Sequence, residues 1–161
     1  MFSNNYGWVV VGNEYTCTHL PTFLEMTKLL QESVVITIKD SGFNMKALFI
    51  WKQPMLTQLP SSIDSFFPNL VVPSFAETGL SSITSEDLRP FPNLVLFGIE
   101  ESIIVSLDGN LFVYTPHLQF ISIQNNLIVN VGDGFLYDLH ELKSANFRQN
   151  TCINQQLFRK N

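Results

Sequence analysis

From Phe67 onward, apolar residues return to fixed positions every 24 residues, through three successive blocks (67–90, 91–114 and 115–138) without a gap. Leu70, Leu94, Leu118 and Leu142 share one position, and Phe75, Ile99, Ile123 and Phe147 share another. Leu80, Ile104 and Ile128 fill a third, and Ile83, Leu107 and Val131 a fourth. Within a block, Ile121 and Ile123 alternate with Phe120, Ser122 and Gln124, the pattern of a short strand with one face inward. A single short strand cannot bury that face alone. The period therefore predicts equivalent strands stacked about 4.8 Å apart in a parallel sheet, each block returning over the far side of a shared core. On that return, Thr84-Ser85-Glu86-Asp87 ahead of Leu88 predicts a short capped helical turn. The Phe-Pro-Asn-Leu-Val that occurs at 67–71 and again at 91–95 marks the approach to each strand, with Leu70 and Leu94 buried.

The flanks extend this frame less regularly. Residues 43–66 carry Phe49, Trp51, Leu56, Leu59 and Ile63 at matching offsets, with Lys46 in the leucine position. In this register Trp51 aligns with inward Phe75, while Leu48, Ile50 and Lys52 face outward. Pro73 falls at the start of one strand, where its missing N–H predicts a distortion. Upstream, Val34-Val35-Ile36-Thr37-Ile38, closed by Asp40-Ser41-Gly42, reads as a capping strand or hairpin. One domain follows: an N-terminal cap over 1–42, repeats over 43–138, and a C-terminal cap and tail over 139–161.

The segment Leu118–Ile128, L-x-x-I-x-I-x-x-N-x-I, resembles the leucine-rich repeat, and the resemblance runs from Phe43 to Asn154. It implies an α/β, mostly β, solenoid with a curved parallel sheet of about five stacked strands and a cap at each end. The repeat's asparagine position holds Asn126 and Asn150, and in this frame Pro54, Thr78 and Ser102 before them. A further set of features runs from Trp8 and Tyr15-Thr16-Cys17 through FFPNL and SEDLRPFPNLV to NFRQNTCIN. Their order resembles secreted insect leucine-rich-repeat proteins, which implies an extracellular recognition role.

Composition narrows the choice of partner. The chain carries a net charge of −5 with no stripe of Lys and Arg, which argues against nucleic acid. No apolar run approaches the roughly 20 residues that span a bilayer. The opening residues show no basic start followed by an apolar run, so no signal peptide is visible. Two cysteines are too few for a disulfide framework. Cys17 and Cys152 belong to opposite ends of the stack, so no bridge between them is expected.

Catalytic signatures are incomplete. Glu100-Glu101 has no adjacent nucleophile, and His19, His117 and His140 fall in separate segments. His140-Glu141 has Ser144 where a zinc-protease helix needs its second His. Gly132-Asp133-Gly134 has Tyr137 where a dinucleotide loop needs Gly, and reads as a turn. The reading is therefore a protein with no catalytic, cofactor or metal residues that recognises a protein or other macromolecule through its concave face.

Alternation places Leu48, Ile50 and Lys52 on that face, followed by Val72, Ser74 and Ala76, then Leu96, Gly98 and Glu100. Phe120, Ser122 and Gln124, and lastly Ser144, Asn146 and Arg148, complete it. An apolar column, Leu48–Val72–Leu96–Phe120, is rimmed by charge, as protein-binding patches are. The expected partner-binding residues are Lys52, Val72, Ser74, Leu96, Glu100, Phe120, Ser122, Gln124, Asn146 and Arg148. The alternative is a structural extracellular protein that self-associates, as a homo-oligomer, through the same column.

Overall fold

The computed structural model describes residues 8–11, 24–29, 33–38, 46–59, 63–153 and 156–158. Strands β1 (Trp8–Val11), β2 (Leu24–Leu29), β3 (Ser33–Ile38) and β4 (Ala47–Gln53) come first. Helical turn α1 (Ile63–Phe66), β5 (Val72–Thr78), α2 (Ser85–Leu88) and β6 (Leu96–Glu100) follow. The remainder is strand: β7 (Ser106–Leu107), β8 (Phe120–Ser122), β9 (Asn130–Val131), β10 (Ser144–Asn146) and β11 (Gln156–Phe158).

The main sheet has seven strands in the order β1-β4-β5-β6-β8-β10-β11, all parallel except β11, which runs antiparallel to β10. The five strands expected from the repeats thus gain one neighbour at each edge. β2 and β3 pair antiparallel, which makes the Val34–Ile38 run one arm of a hairpin.

Each repeat is hooked to the one before it by a shared carbonyl. Val71 and Val72 both donate their N–H to Lys46 O, at 2.9 and 3.0 Å; Val95 and Leu96 donate to Val71 O, at 2.9 and 3.1 Å. Gln119 and Phe120 do the same with Val95 O, and Lys143 and Ser144 with Gln119 O. Below this seam lie Leu70, Leu94 and Leu118, all buried, as the duplicated Phe-Pro-Asn-Leu-Val segment implies. Phe75, Ile99, Ile123 and Phe147 are likewise buried. Four rings run through the stack, Phe97–Phe112–Phe135–Phe147, with centroids 5.9, 5.2 and 5.9 Å apart. The edge-to-face and tilted arrangement suits aromatic quadrupoles.

The first repeat corrects the sequence reading. Ile50, not Trp51, pairs with Phe75, and Leu48 pairs with Pro73. Leu48 and Ile50 are fully buried, so both point into the core rather than outward. Phe49 and Trp51, half-buried, take the concave positions, and Trp51 is not a core residue. The cause is one additional residue. Where later repeats place a single residue between the polar position and the next buried aliphatic (Gly79, Ile103, Leu127), the first places Pro54 and Met55. These form a turn closed by Leu56 N–H donating to Gln53 O at 3.0 Å, with proline at the second position of the turn, where its φ is preset. A slip of one residue in a strand exchanges its two faces.

Pro73 does not break β5. Its effect is confined to the ladder with β6, which begins only at Ser74↔Gly98, whereas β6 pairs with β8 from Leu96↔Phe120. That is what the loss of one N–H donor produces.

On the return side the architecture changes along the stack. The first two complete returns carry α1 and α2. In α2 the Asp87 carboxylate accepts from both the N–H and the hydroxyl of Thr84, at 2.8 and 2.7 Å, the capped turn read from the sequence. The next two returns carry β7 and β9, paired parallel in a second, two-stranded sheet. There the backbones nearly touch. A Cβ on Gly109 would lie 2.1 Å from Asp133 O, and one on Gly132 would lie 2.3 Å from Gly109 N.

Candidate functional site

The concave face is built by three columns of side chains crossing the strands. The first is Val72, Leu96, Phe120 and Ser144; the second Ser74, Gly98, Ser122 and Asn146; the third Ala76, Glu100 and Gln124. The first repeat contributes Ala47, Phe49 and Trp51 to the same three lines. The column expected from the sequence therefore begins with buried Ala47 rather than Leu48.

Heights differ across the columns. Ser74 and Gly98 are buried and Ser122 half-buried, so the middle column is a low floor. Val72 and Leu96, half-buried, and Phe120, 39% exposed, stand above it on one side. The Lys143 ammonium lies 5.7 Å from the Phe120 ring centroid. On the other side, Gln124 Nε2 donates to Glu100 Oε2 at 3.0 Å, and Asn146 Nδ2 donates to Gln124 Oε1 at 2.7 Å. Asn146 Oδ1 also accepts from Arg148 N–H at 3.2 Å. The polar wall is thus held by side-chain hydrogen bonds between repeats, and exposed Arg148 continues it.

The strands end at a corner that repeats. Lys52, Glu77, Glu101, Asn125 and Gln149 all have φ between 50° and 59°. Their spacing is 25 residues once and 24 thereafter, another trace of the added residue. This moves Lys52 from the expected outward column to the corner, where its ammonium sits 4.4 Å from the centroid of the Trp51 ring. Trp51 Nε1 in turn donates to a Glu77 carboxylate oxygen. Of the expected partner-binding residues, Val72, Ser74, Leu96, Glu100, Phe120, Ser122, Gln124 and Asn146 come together on one surface. Arg148 flanks it, and Lys52 serves the rim through Trp51.

Immediately past the corner lies the buried polar position: Gln53, Thr78, Ser102, Asn126 and Asn150. Gln53, not Pro54, is its first member. Asn126 Nδ2 donates to Ile99 O and Gln124 O, at 2.9 and 3.0 Å, while its Oδ1 accepts from Ile104 N–H at 3.2 Å. Asn150 repeats this with Ile123 O, Arg148 O and Ile128 N–H, and also donates to Phe147 O at 3.0 Å. Thr78 and Ser102 substitute a hydroxyl pair, 2.8 Å apart. These side chains satisfy backbone groups that the corner removes from the sheet ladder.

Two features went unread in the sequence. On the flank after the asparagine position, Ile103, Val105, Leu127 and Val129 are 45–51% exposed and lie two by two in adjacent repeats. Their backbones are tied by Val129 N–H to Val105 O at 2.9 Å. Because Ile103-Ile104-Val105 and Leu127-Ile128-Val129 are apolar throughout, no alternation identifies the outward members. The second feature is a pair of exposed ties across repeats. His117 Nδ1 and Glu141 Oε1 are 2.8 Å apart, and Lys143 Nζ donates to Gln119 Oε1 at 2.8 Å.

The hydrogen bond from His117, reinforced by that imidazole's charge and by Gln119 and Lys143, holds the Glu141 carboxyl below its ordinary value. The carboxylate's contribution to the tie is therefore present above the usual carboxylate range and is lost as pH falls through the lowered value. Carboxyl titration by NMR should show Glu141 depressed in the wild type and raised toward its ordinary value in His117→Ala. An unaltered Glu141 titration in that variant would refute the tie.

Other candidate groups stay apart. His140 is exposed, Cys152 is exposed with a free thiol, and Cys17 and His19 lie outside the described residues. Gly132-Asp133-Gly134 lies in a turn, with Gly134 at φ 81°. Among the described residues no three His, Cys, Asp or Glu side chains gather as a metal site, and no helix is long and apolar enough to cross a membrane.

Stacked parallel strands, a consensus corner and a buried polar ladder at a 24-residue spacing define a leucine-rich-repeat-type solenoid. No protein-family model and no curated protein sequence matches the chain. Among solved structures it is similar to the Toll chain of the Toll–Spatzle complex, a molecular hub in Drosophila development and innate immunity. The TM-score is 0.54 at 16% sequence identity; the match covers 66% of this chain and 14% of the Toll chain, so this chain corresponds to a small part of that protein.

Proposed function

We propose that this chain is a non-catalytic recognition module that holds a protein partner on its concave face, outside the cell. The observation that carries the reading is the Val72–Leu96–Phe120 column, a half-exposed apolar wall beside a floor of small residues on a rigid sheet. Repeat solenoids commonly bind through such surfaces, and aromatic anchors beside satisfied polar groups are the usual centre of a protein interface. The fold shared with Toll, whose solved complex contains Spatzle, supports a protein as the partner. The resemblance to secreted insect repeat proteins supports the location.

Affinity capture from the source's extracellular fluid tests it, with Leu96→Glu/Phe120→Glu run in parallel. The partner should be retained by the wild type and lost by the double variant, which should melt at the same temperature. Retention by a folded double variant removes the concave face from the interface.

The flank patch favours a second reading, self-association. Ile103, Val105, Leu127 and Val129 form an exposed apolar square whose neighbours, Ser81, Ser106, Asn130 and Thr151, are uncharged. Light scattering separates the two readings. A mass that rises with concentration and falls to the monomer in Val105→Ser/Val129→Ser would establish self-association, whereas a constant monomer mass would exclude it.

A further inference from the structure

Resting on the concave-face reading, we infer that the occupant is an extended segment of a partner protein in which apolar residues alternate with lysine or arginine. The floor Ser74–Gly98–Ser122 is a trough running across the strands, with Phe49 in line at one end and Asn146 at the other. Four strand spacings separate those ends, about 19 Å. That length admits some six residues of extended chain.

The two walls differ in chemistry. Val72, Leu96 and Phe120 line one side. On the other, Glu100 stands in the outer column, and Glu77 and Glu101 occupy the neighbouring corners. Among the described residues, the ion pairs Arg89–Glu86 and His117–Glu141 lie elsewhere. Among the described residues, Glu77 accepts from Trp51 and Glu100 from Gln124, both neutral donors. A chain lying in the trough points successive side chains to opposite walls. Every second residue then meets Leu96 and Phe120, and the residues between face Glu100, with Glu77 and Glu101 at the adjoining corners, before the wall turns neutral at Gln124 and Asn146 beside Arg148. Charge complementarity selects cations for those intervening positions and disfavours Asp and Glu.

Selection from a displayed library of random linear 12-residue peptides tests this, followed by anisotropy titration of the labelled winners. The expected winners alternate Leu, Val or Phe with Lys or Arg. They should bind Glu100→Gln/Glu101→Gln about tenfold more weakly, with little change on Asp133→Asn/Asp138→Asn, which alters net charge equally at a distant loop. Glutamine at position 100 keeps an acceptor for Gln124, so the floor is undisturbed. Acidic or uncharged winners, equal affinity for the glutamine variant, equal loss on the loop control, or no winners at all would each overturn the cationic extended segment. Uncharged winners that are lost on Phe120→Glu would overturn this inference while sustaining concave-face recognition. Winners indifferent to Phe120→Glu would overturn both.

Discussion

Asn126→Ala is expected to remove about 3–5 kcal/mol of folding stability, because two buried backbone groups and one part-buried carbonyl lose their partner at once. Ile99 O and Ile104 N–H are deep in the stack, where water cannot replace the amide, and Gln124 O lies at the corner beside them. A typical hydrogen-bond deletion loses about 1 kcal/mol, but leaving buried groups unsatisfied costs about 1–3 kcal/mol each. Ser102→Ala is the internal comparison. Its hydroxyl accepts from Thr78 N–H at 3.3 Å, pairs with Thr78 Oγ1 and donates to Glu100 O; only one buried backbone group loses its partner, so a loss of roughly 2 kcal/mol follows. Urea titration of both variants measures the difference. If Asn126→Ala were no more damaging than Ser102→Ala, the polar ladder would not be what joins these repeats.

Gly109→Ala is the second large effect. Its Cβ would lie 2.1 Å from Asp133 O and 3.1 Å from Asp133 C, both backbone atoms of the next repeat. No side-chain rotation relieves such a contact, so the two returns must separate and lengthen the bond from Gly132 N–H to Leu107 O, now 2.8 Å. A loss of about 3 kcal/mol is expected, at the upper end for overpacking. Gly134→Ala provides the contrast. Its φ of 81° disfavours a side chain, but the nearest atoms, on the Tyr137 ring, are 3.7 and 4.0 Å away. The loss there should be only about 1 kcal/mol. Thermal melts of the two variants decide it; equal shifts would mean that backbone contact between repeats is not what Gly109 protects.

From Phe67 onward nearly every structural position was legible in the sequence. The 24-residue frame places Leu70, Leu94 and Leu118 at the seam and Phe75, Ile99, Ile123 and Phe147 in the core, where the structure has them. A period repeated several times averages out local ambiguity, and solenoid repeats contact mainly their neighbours. The first repeat failed for a local reason. Its frame put Lys46 in a leucine slot, although Met45 stands one residue earlier, and that mismatch was the available sign of an added residue. Strand faces invert with each one-residue slip, so a two-residue turn at Pro54-Met55 was enough to exchange Leu48 and Ile50 with Phe49 and Trp51. The candidate surface was legible where the register held and displaced where it did not. The β7–β9 sheet was hidden because its strands are only two residues long and follow runs, Ile103–Val105 and Leu127–Val129, that are apolar throughout and show no alternation.

The pairing of β7 with β9 has a mechanical consequence. The third and fourth repeats are joined twice, by the main sheet in front of the core and by this backbone pairing behind it, where Gly109 and Gly132 approach closely. Leu96, Glu100, Phe120 and Gln124 belong to those two repeats. Sliding one repeat past the other must disturb two ladders at once, so the spacing of the groups a partner would meet there is held from both sides of the core.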